Sequence, residues 1–597
     1  MAQVSSKTKY RNDSESLTKT DNDESVKTRL QQSKTLPRIL WHWATVGILF
    51  VAALCFNLYH LGTPSIWYDE AFSVELARQP LPLLWHIIFG PEPNMELYYL
   101  FLHYWLNLTS LIGLHATEFV VRFPSAIFAA LSTLVVFAIG RRFLGTLTGI
   151  LGAVLYLLND IQLTYAQQTR SYALQLLLIC VAWYALFAVL DSEKQARRWW
   201  IIYVVSWVLA VYAHLFSLLI LLSQLIAVGG ILLLPNAKSL DTSSTVPLES
   251  PTSGGMGDSI GFSLRSVRGY CNNRWRNRAR KQFVSLLISL GSIFLLIIPM
   301  LIESWHGPKT GWLPTPHWHD IYHLFDTISG YSQQYLYPFI AFCGLGLLAI
   351  AIAYFAQFFP PLQNSSSATS SIDETFTSFR HLVPVVWSLF CWLVIPIGMS
   401  YILSHGSLRL FSARYLVTIV PPLFLLVAFG VMALRLRIVQ GYFATILVVL
   451  ALLAVPMYYK SAQVEDWNST THWLLQHYQS GDGLVCYDNN QGCQISVEYY
   501  LHAYPNSAHF TDDSPGAFSW VNYGPVNPKS GYKAALDPKA LATYTKKHAR
   551  FFYIAGRISA DQDVARVRST EHWLDGHYHL VDQVVKTTVT IRLYATH

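Results

Sequence analysis

The chain has 597 residues, of which 52% are hydrophobic and only 13% are charged, and its formal net charge is +7 at pH 7. Soluble globular chains carry about 25% charged residues, and a water-soluble domain cannot bury this much apolar surface. The composition therefore excludes an ordinary soluble protein and predicts one embedded in a lipid bilayer, with membrane lipids as partners. In such a protein the positive charge is no sign of nucleic-acid binding, and we expect no nucleic-acid partner.

The chain divides into three regions by polarity. Residues 1–38 are polar and lack the apolar core of a signal peptide, which predicts a disordered cytoplasmic tail. Residues 39–458 are predicted to form a membrane domain, and residues 459–597 a soluble α/β or α+β domain outside the cytoplasm. In that last region Cys486 and Cys493 either pair as a disulfide or stay reduced.

Long apolar runs predict an α-helical polytopic membrane protein, since a helix of about 20 apolar residues crosses the hydrocarbon layer. About 11 transmembrane helices are expected, with centres near residues 49, 130, 152, 181, 206, 224, 292, 347, 392, 425 and 449. Residues 58–117 between the first two form a loop much longer than a connection requires. Long ordered loops tend to be functional.

The positions of lysine and arginine set the orientation of these helices. With a cytoplasmic N-terminus, basic residues concentrate on the cytoplasmic side, and relatively few face outward. The cytoplasmic set comprises Lys34, Arg38, Arg141, Arg142, Lys194, Arg197, Arg198, Arg265–Lys281, Arg380, Arg435 and Arg437. This predicts a multi-pass protein of the plasma (inner) membrane whose loop 58–117 and C-terminal domain lie outside the cytoplasm.

The first outward loop carries two adjacent carboxylates, Asp69 and Glu70. One interpretation is that they stabilise the N-terminus of a short helix that runs to about Arg78. The other is catalytic, and the two can coexist. Sugar transfer needs a base that takes the proton of the acceptor hydroxyl, and a leaving phosphate needs positive charge nearby.

Later outward loops supply further charges. Asp160 and Arg170 lie on the second outward loop, and Arg409 and Arg414 precede the tenth helix. Because cations are rare on the outward side, phosphate is a suitable counter-charge for these arginines. The alternative is that they anchor or snorkel at the membrane interface. His214, at a turn between two membrane helices, is expected to be structural.

Five segments in chain order carry a family signal. They are Tyr68-Asp69-Glu70-Ala71, Pro93–Leu100 with Trp105, Arg122-Phe123-Pro124-Ser125, Tyr165–Leu174, and Arg414-Tyr415-Leu416 followed by Pro421-Pro422. As an ordered set they resemble the GT-C glycosyltransferases, in particular the branch of protein mannosyltransferases and lipid A aminoarabinose transferases. The resemblance covers most of residues 40–460.

The resemblance implies an inverting enzyme that moves a monosaccharide from a polyprenyl-phosphate donor to an acceptor outside the cytoplasm, which is a lipid, a glycan or a protein. It implies Asp69 as the general base, with Glu70 beside it assisting substrate or metal contact. Arg170 and Arg414 would face the donor phosphate, and we add Arg409 to them as a further outward cation. The residues expected to contact substrate are Tyr68, Glu96, Asp160, Tyr172 and Tyr415.

Some members of that family depend on a metal and others show no clear requirement, so a divalent metal ion stays open as a cofactor. Its candidate ligands are Glu70, Glu96 and Asp160.

Two other classes of function remain as alternatives. A transporter or flippase of lipid-linked sugars predicts charges in the middle of the membrane and repeat symmetry, whereas here the charges gather at outward helix ends. A receptor or scaffold whose exported domain binds a partner leaves the Asp69-Glu70 pair unexplained.

Overall fold

The computed structural model describes residues 43–193, 195–234, 270–304, 310, 313–355, 379–486, 491–504, 507–515, 518–523, 538–556 and 561–596. The predicted tail, residues 1–38, lies outside the described residues. Residues up to Phe56 form one unit, to which most of the apolar helix α1 (Trp43–Leu58) belongs. Residues from Asn57 onwards form a second unit, which contains the remaining elements.

The long loop predicted at residues 58–117 is largely helical. It contains α2 (Tyr68–Arg78), α3 (Leu81–Ile88) and α4 (Glu96–Leu111). Helix α2 ends where the sequence predicted, and Asp69 and Glu70 occupy its first turn, where the helix dipole favours negative charge. Helix α4 packs against α2, which fixes α2 on the membrane part of the unit.

The membrane part consists of helices. They are α5 (Glu118–Phe143), α6 (Thr146–Leu157), α7 (Asp160–Ala166), α8 (Tyr172–Asp191), α9 (Ala196–Ala213), α10 (Ser217–Leu233), α11 (Tyr270–Lys281), α12 (Phe283–Ser304), α13 (Trp318–Ile328), α14 (Gln333–Phe355), α15 (Val383–Leu403), α16 (Val420–Met432) and α17 (Arg437–Ser461).

Each of the eleven predicted centres lies within one of these helices or α1. Within the described part of the chain, six helices (α5, α8, α12, α14, α15 and α17) are long and apolar enough to cross a membrane. Helices α6 and α7, bent by 64° at a short break, make a seventh candidate when taken together. The other predicted spans fall on helices that are shorter, or in the case of α9 begin with Arg197 and Arg198.

Close helix crossings depend on glycine. Gly140 of α5 faces Gly149 of α6, and a Cβ at Gly140 would lie 2.5 Å from the Cα of Gly149. Gly430 of α16 lies against Gly346 and the carbonyl of Phe342 on α14, where a Cβ would overlap the backbone. Small residues of this kind let membrane helices approach closely and gain van der Waals contact.

The C-terminal region begins with α18 (Trp467–His477) and contains a four-stranded sheet in the order β1-β2-β4-β3. Strand β1 (Gly483–Cys486) pairs in parallel with β2 (Arg550–Gly556). Strands β3 (His579–Lys586) and β4 (Val589–Ala595) complete the sheet in antiparallel fashion. This sheet and its helices agree with the α/β or α+β region predicted from the sequence.

Both faces of this sheet are covered. Phe552 and Ile554 of β2 pack towards α18 and α19 (Gln491–Leu501). The alternate residues, Phe551 and Tyr553, pack towards α20 (Pro538–Thr545) and α21 (Asp561–His577). Cys486 at the end of β1 and Cys493 on α19 are joined as a disulfide, which decides between the two states that the sequence left open.

Candidate active site

Asp69 and Glu70 point in different directions because successive residues of a helix are rotated by about 100°. The side chain of Glu70 is fully buried, whereas that of Asp69 keeps 18% of its surface exposed. Each carboxylate meets a different set of cations, so the two neighbours lie in separate environments.

Glu70 is held by Arg122 of α5 in a two-point ion pair. Arg122 donates from Nε to Oε1 over 2.9 Å and from Nη2 to Oε2 over 2.6 Å. The backbone N–H of Thr169 also donates to Oε1, over 2.7 Å. Arg122 further donates to the carbonyls of Leu61, Pro64 and Ser65. This buried network ties the first loop to α5 and to the segment before α8.

Asp69 lies between two arginines that come from distant parts of the chain. Its Oδ2 is 3.9 Å from Nη2 of Arg170 and 3.4 Å from Nη1 of Arg414. Arg170 is also positioned by Nη1, which donates to the carbonyl of Asp69 and the hydroxyl of Ser73. Both distances to the carboxylate exceed the 2.6 Å of the Glu70–Arg122 pair. Asp69 is therefore the more loosely held and more accessible carboxylate.

Both arginines keep their charge in this setting. Burial acts to lower the pKa of Arg170, but Asp69 and nearby tyrosines outweigh it and the pKa lies above its ordinary value. The pKa of Arg414 is raised against the effect of burial in the same way, by Tyr172 and Asp69. The site thus combines two permanent positive charges with one exposed carboxylate.

Aromatic side chains surround these arginines. Tyr172, the first residue of α8, contacts Tyr165 with ring centroids 4.6 Å apart. His214 lies between Tyr172 and Tyr415, with centroids 5.4 and 5.3 Å away. The rings line a site whose polar groups are partly shielded from water, which strengthens electrostatic interactions.

The C-terminal region bonds directly to the segment that carries Asp69. Glu465 accepts from the backbone N–H of Tyr68 over 2.9 Å. The hydroxyl of Tyr500 accepts from the N–H of Ile66 over 2.9 Å and donates to Glu118 over 2.8 Å. The entry to α2 is therefore fixed by residues that follow the last membrane helix.

A second contact joins the C-terminal region to the outer face of α2. His502 lies 2.8 Å from a carboxylate oxygen of buried Glu75. Phe72 contacts the rings of Trp520 and Tyr523, at 5.2 and 5.9 Å between centroids. Helix α2 is thus enclosed between membrane helices and the C-terminal region.

Three other residues predicted for the site have contacts of their own. Glu96 begins α4, is buried, and interacts electrostatically with Tyr212 of α9. Asp160 begins α7 and packs near Gly330. Arg409 donates to the carbonyl of Ser404 at the end of α15. The ion pairs of Asp69 are formed with Arg170 and Arg414, and a role for these three residues at the site stays a prediction.

The donor set for a metal ion fits poorly at the predicted ligands. Both oxygens of Glu70 already accept bonds from Arg122 or Thr169. Across the described residues, no group of three or more His, Cys, Asp or Glu side chains is arranged to hold a metal. We therefore derive no chemical step through a metal ion.

The sequence did not identify several residues that shape the site. Arg122 lies in one of the five segments that resemble the family, but the sequence pattern gives it no role. Thr169 acts through its backbone N–H, and Glu465 and Tyr500 act from about 400 residues away. Backbone donors and distant partners leave no local pattern by which they could have been found.

Comparison with known families gives one match. Residues 100–246 match the family described as dolichyl-phosphate-mannose-protein mannosyltransferase. This segment includes Arg122, Arg170 and Tyr172. No curated protein matches the chain in sequence.

Comparison with solved structures extends over most of the chain. ArnT from Cupriavidus metallidurans in the apo state is similar with a TM-score of 0.50 and 12% identity, over 92% of this chain and 98% of that chain. ArnT from the same organism bound to undecaprenyl phosphate gives a TM-score of 0.51 and 11% identity, over 92% and 97%. The oligosaccharyltransferase of Archaeoglobus fulgidus in the apo form gives 0.40 and 10%, over 92% and 74%.

Proposed function

We propose that the chain is a GT-C glycosyltransferase that transfers a monosaccharide from a polyprenyl-phosphate donor to an acceptor outside the cytoplasm. The superfamily and the enzyme class are those predicted from the sequence, and they are supported by the family match over residues 100–246 and by the fold shared with ArnT. The donor, the acceptor and the residue roles below are the proposal. The observation that carries it is the position of the partly exposed Asp69 between Arg170 and Arg414.

In the proposed reaction Asp69 accepts the proton of an acceptor hydroxyl on a lipid, glycan or protein. The acceptor oxygen attacks the anomeric carbon, and the bond from that carbon to the phosphate oxygen breaks. The bonding electrons leave with the phosphate, so polyprenyl phosphate is released and the anomeric centre is inverted. A general base of this kind contributes about 10²–10⁴-fold to the rate.

Arg170 and Arg414 would bind the phosphate and stabilise the charge that it gains when the bond breaks. Their contacts with Asp69, at 3.9 and 3.4 Å, are long enough for a phosphate oxygen to compete for the same guanidinium groups. Tyr172 and Tyr415 flank the arginines and would contact the donor. Glu70 would act indirectly, by fixing α2 through Arg122.

The matched family and one similar solved structure both support a lipid-phosphate donor. The matched family is named for dolichyl-phosphate-mannose, and one of the similar ArnT structures contains undecaprenyl phosphate. Both compounds are polyprenyl phosphates or their sugar esters. A reacting phosphate at the headgroup level also agrees with a site at the ends of membrane helices α5 and α8.

The test is release of sugar from a panel of radiolabelled polyprenyl-phosphate monosaccharides by the purified full-length protein, with a crude acceptor extract. We expect one donor to be consumed by the wild type and the rate to fall at least ~10²-fold in Asp69→Asn. Asp512→Asn, at an exposed position of the C-terminal region, is the matched control and should retain the wild-type rate.

Two outcomes would contradict the proposal. If Asp69→Asn keeps the wild-type rate, another group is the base. If no donor is consumed with or without divalent metal, the protein does not catalyse this transfer, and a transporter or flippase of lipid-linked sugars becomes the better hypothesis.

A further inference from the structure

His214 lies at the turn between α9 and α10, with only 3% of its surface exposed. Its ring is in contact with Tyr172 and Tyr415, and it is close enough to Arg170 and Arg414 for their charges to act on it. The sequence offered a structural role for this residue. The turn provides a hydrogen-bond partner for Nδ1 of the ring, but it provides none for Nε2.

The turn determines which ring nitrogen carries the proton. The backbone N–H of Phe216 donates to Nδ1 of His214 over 3.2 Å, so Nδ1 is an acceptor. A neutral imidazole with an accepting Nδ1 has its proton on Nε2. Burial, together with the charges of Arg170 and Arg414, lowers the pKa of His214 to about 3, so the ring is neutral at physiological pH. The side chain therefore presents a fixed Nε2–H donor.

This donor has no hydrogen-bond partner among the described residues, although it is buried. Nε of Arg170, one of the two arginines that act on His214, is likewise buried without a partner among the described residues, as are Oγ1 of Thr169 and Oγ of Ser171 on either side of it in the chain. Buried polar groups are normally paired, so unpaired donors on His214 and on the arginine that acts on it fit a ligand with several acceptor oxygens.

We propose that His214 donates its Nε2–H to a non-bridging oxygen of the lipid phosphate, beside Arg170 and Arg414. This inference rests on the proposed function and adds a phosphate-binding residue to it. A donor phosphodiester carries one negative charge and Asp69 another, which balances the two arginines. During transfer Asp69 gains a proton and the phosphate gains a charge, so the sum is unchanged.

A neutral donor suits that balance. A third cation would leave the loaded site with excess positive charge, whereas a neutral N–H strengthens its bond as the phosphate oxygen becomes more negative. His214 would then favour the leaving phosphate over the bound phosphodiester. In this role it is a binding residue that supports the departure of the leaving group.

Two substitutions of His214 test the roles of Nδ1 and Nε2 separately. His214→Asn keeps an oxygen near the position of Nδ1, which accepts from Phe216 and preserves the turn, but it lacks the far donor. His214→Gln reaches the position of Nε2 with an amide N–H. His477→Asn, in the C-terminal region, is the matched control.

The probes are undecaprenyl phosphate and undecaprenol, with affinity measured on the purified full-length protein in detergent and thermal stability measured alongside. We expect His214→Asn to bind the phosphate about 10-fold to 100-fold more weakly, as for a hydrogen bond to a charged group, with undecaprenol binding and stability unchanged. His214→Gln should recover much of the affinity, and His477→Asn should match the wild type.

The inference is overturned if His214→Asn binds the phosphate as the wild type does, or if it loses both lipids in parallel with stability, which is the result of a structural role. In either case intact sugar release by the wild type would leave the proposed function standing. If the wild type binds neither lipid and releases no sugar, the proposed function fails and this inference fails with it.

Discussion

Asp69 and Glu70 follow one another in the chain, but their environments differ in tightness and in access to solvent. Glu70 is enclosed by Arg122 and the N–H of Thr169, with its hydrogen-bonding capacity largely used within the protein. Asp69 meets Arg170 and Arg414 at longer distances and stays partly exposed. The difference indicates that one carboxylate organises the site while the other is available to a substrate.

The largest effect, on the free energy of unfolding, is expected from breaking the buried ion pair between Glu70 and Arg122. Glu70→Gln leaves Arg122 as a buried charge without its counter-ion, which typically costs about 3–5 kcal/mol of the free energy of unfolding. Thermal unfolding in detergent measures the loss. The double variant Glu70→Gln/Arg122→Gln should lose less than the sum of its single variants, because the charges are removed together.

If Glu70→Gln were instead as stable as the wild type and specifically lost sugar transfer, the comparison would break down. Glu70 would then act on the substrate directly. Asp69→Asn is the matched substitution, and we expect it to lose transfer while retaining stability, since an amide replaces a carboxylate that is not enclosed.

A smaller effect is expected from removing Arg414, which contacts Asp69 over a longer distance. Arg414→Gln removes one charged donor to the phosphate and should weaken donor binding about 10-fold to 100-fold, measured as the KM for the donor. Arg409→Gln is the control, since the side chain of Arg409 is used on the carbonyl of Ser404. Equal effects of the two variants would mean that both arginines serve the donor, or that neither does.

The C-terminal region also affects Asp69, because Tyr500 forms hydrogen bonds next to the start of α2. Tyr500→Phe removes the hydroxyl that accepts from Ile66 and donates to Glu118, next to the entry of α2. Loss of these hydrogen bonds should cost about 1–3 kcal/mol of stability and slow transfer through displacement of Asp69. The neighbouring Tyr499→Phe, whose hydroxyl donates to the carbonyl of Ala116, should affect stability alone. Equal losses of transfer rate would place the two tyrosines in one structural role.

The smallest effect concerns pH. Burial raises the pKa of Glu498 on α19 to about 7 from 4.5, aided by Glu75 and opposed by Gln494 and His502. The folded state therefore binds this proton more tightly than the unfolded state, and the stability that it contributes below about pH 4.5 is lost as pH rises through 7. Glu498→Gln should show a smaller fall in melting temperature between about pH 5 and pH 8 than wild type or Asp512→Asn. An unchanged fall would assign the pH dependence to other groups.

The positions of the membrane helices could be predicted because apolar runs and the cost of burying backbone polar groups act locally. The same local logic predicted the short helix that ends at Arg78 and the arginines on separate outward loops. The division of roles between Asp69 and Glu70 could not be predicted. It depends on the direction in which each side chain leaves α2, and on Arg122, which lies 52 residues beyond Glu70.

The disulfide and the C-terminal contacts show the same limit. The sequence showed that Cys486 and Cys493 are neighbours, but their pairing depends on the approach of β1 to α19. Asp160, Glu96 and Arg409 were predicted at the site from residue type, and their roles stay predictions. Their contacts with Gly330, Tyr212 and the carbonyl of Ser404 follow from helix packing, which residue type does not encode.

The bond from the N–H of Tyr68 to Glu465 spans 397 residues of chain. At a synthesis rate of about 5–20 residues per second, the ribosome needs roughly 20–80 s to add the partner after the segment that it fixes. Throughout that interval the nascent chain already contains Asp69 and inserts its membrane helices in turn. The carboxylate acquires its final environment only when the C-terminal region has folded back onto the first loop, so the time that translation takes sets the earliest moment at which the site is complete.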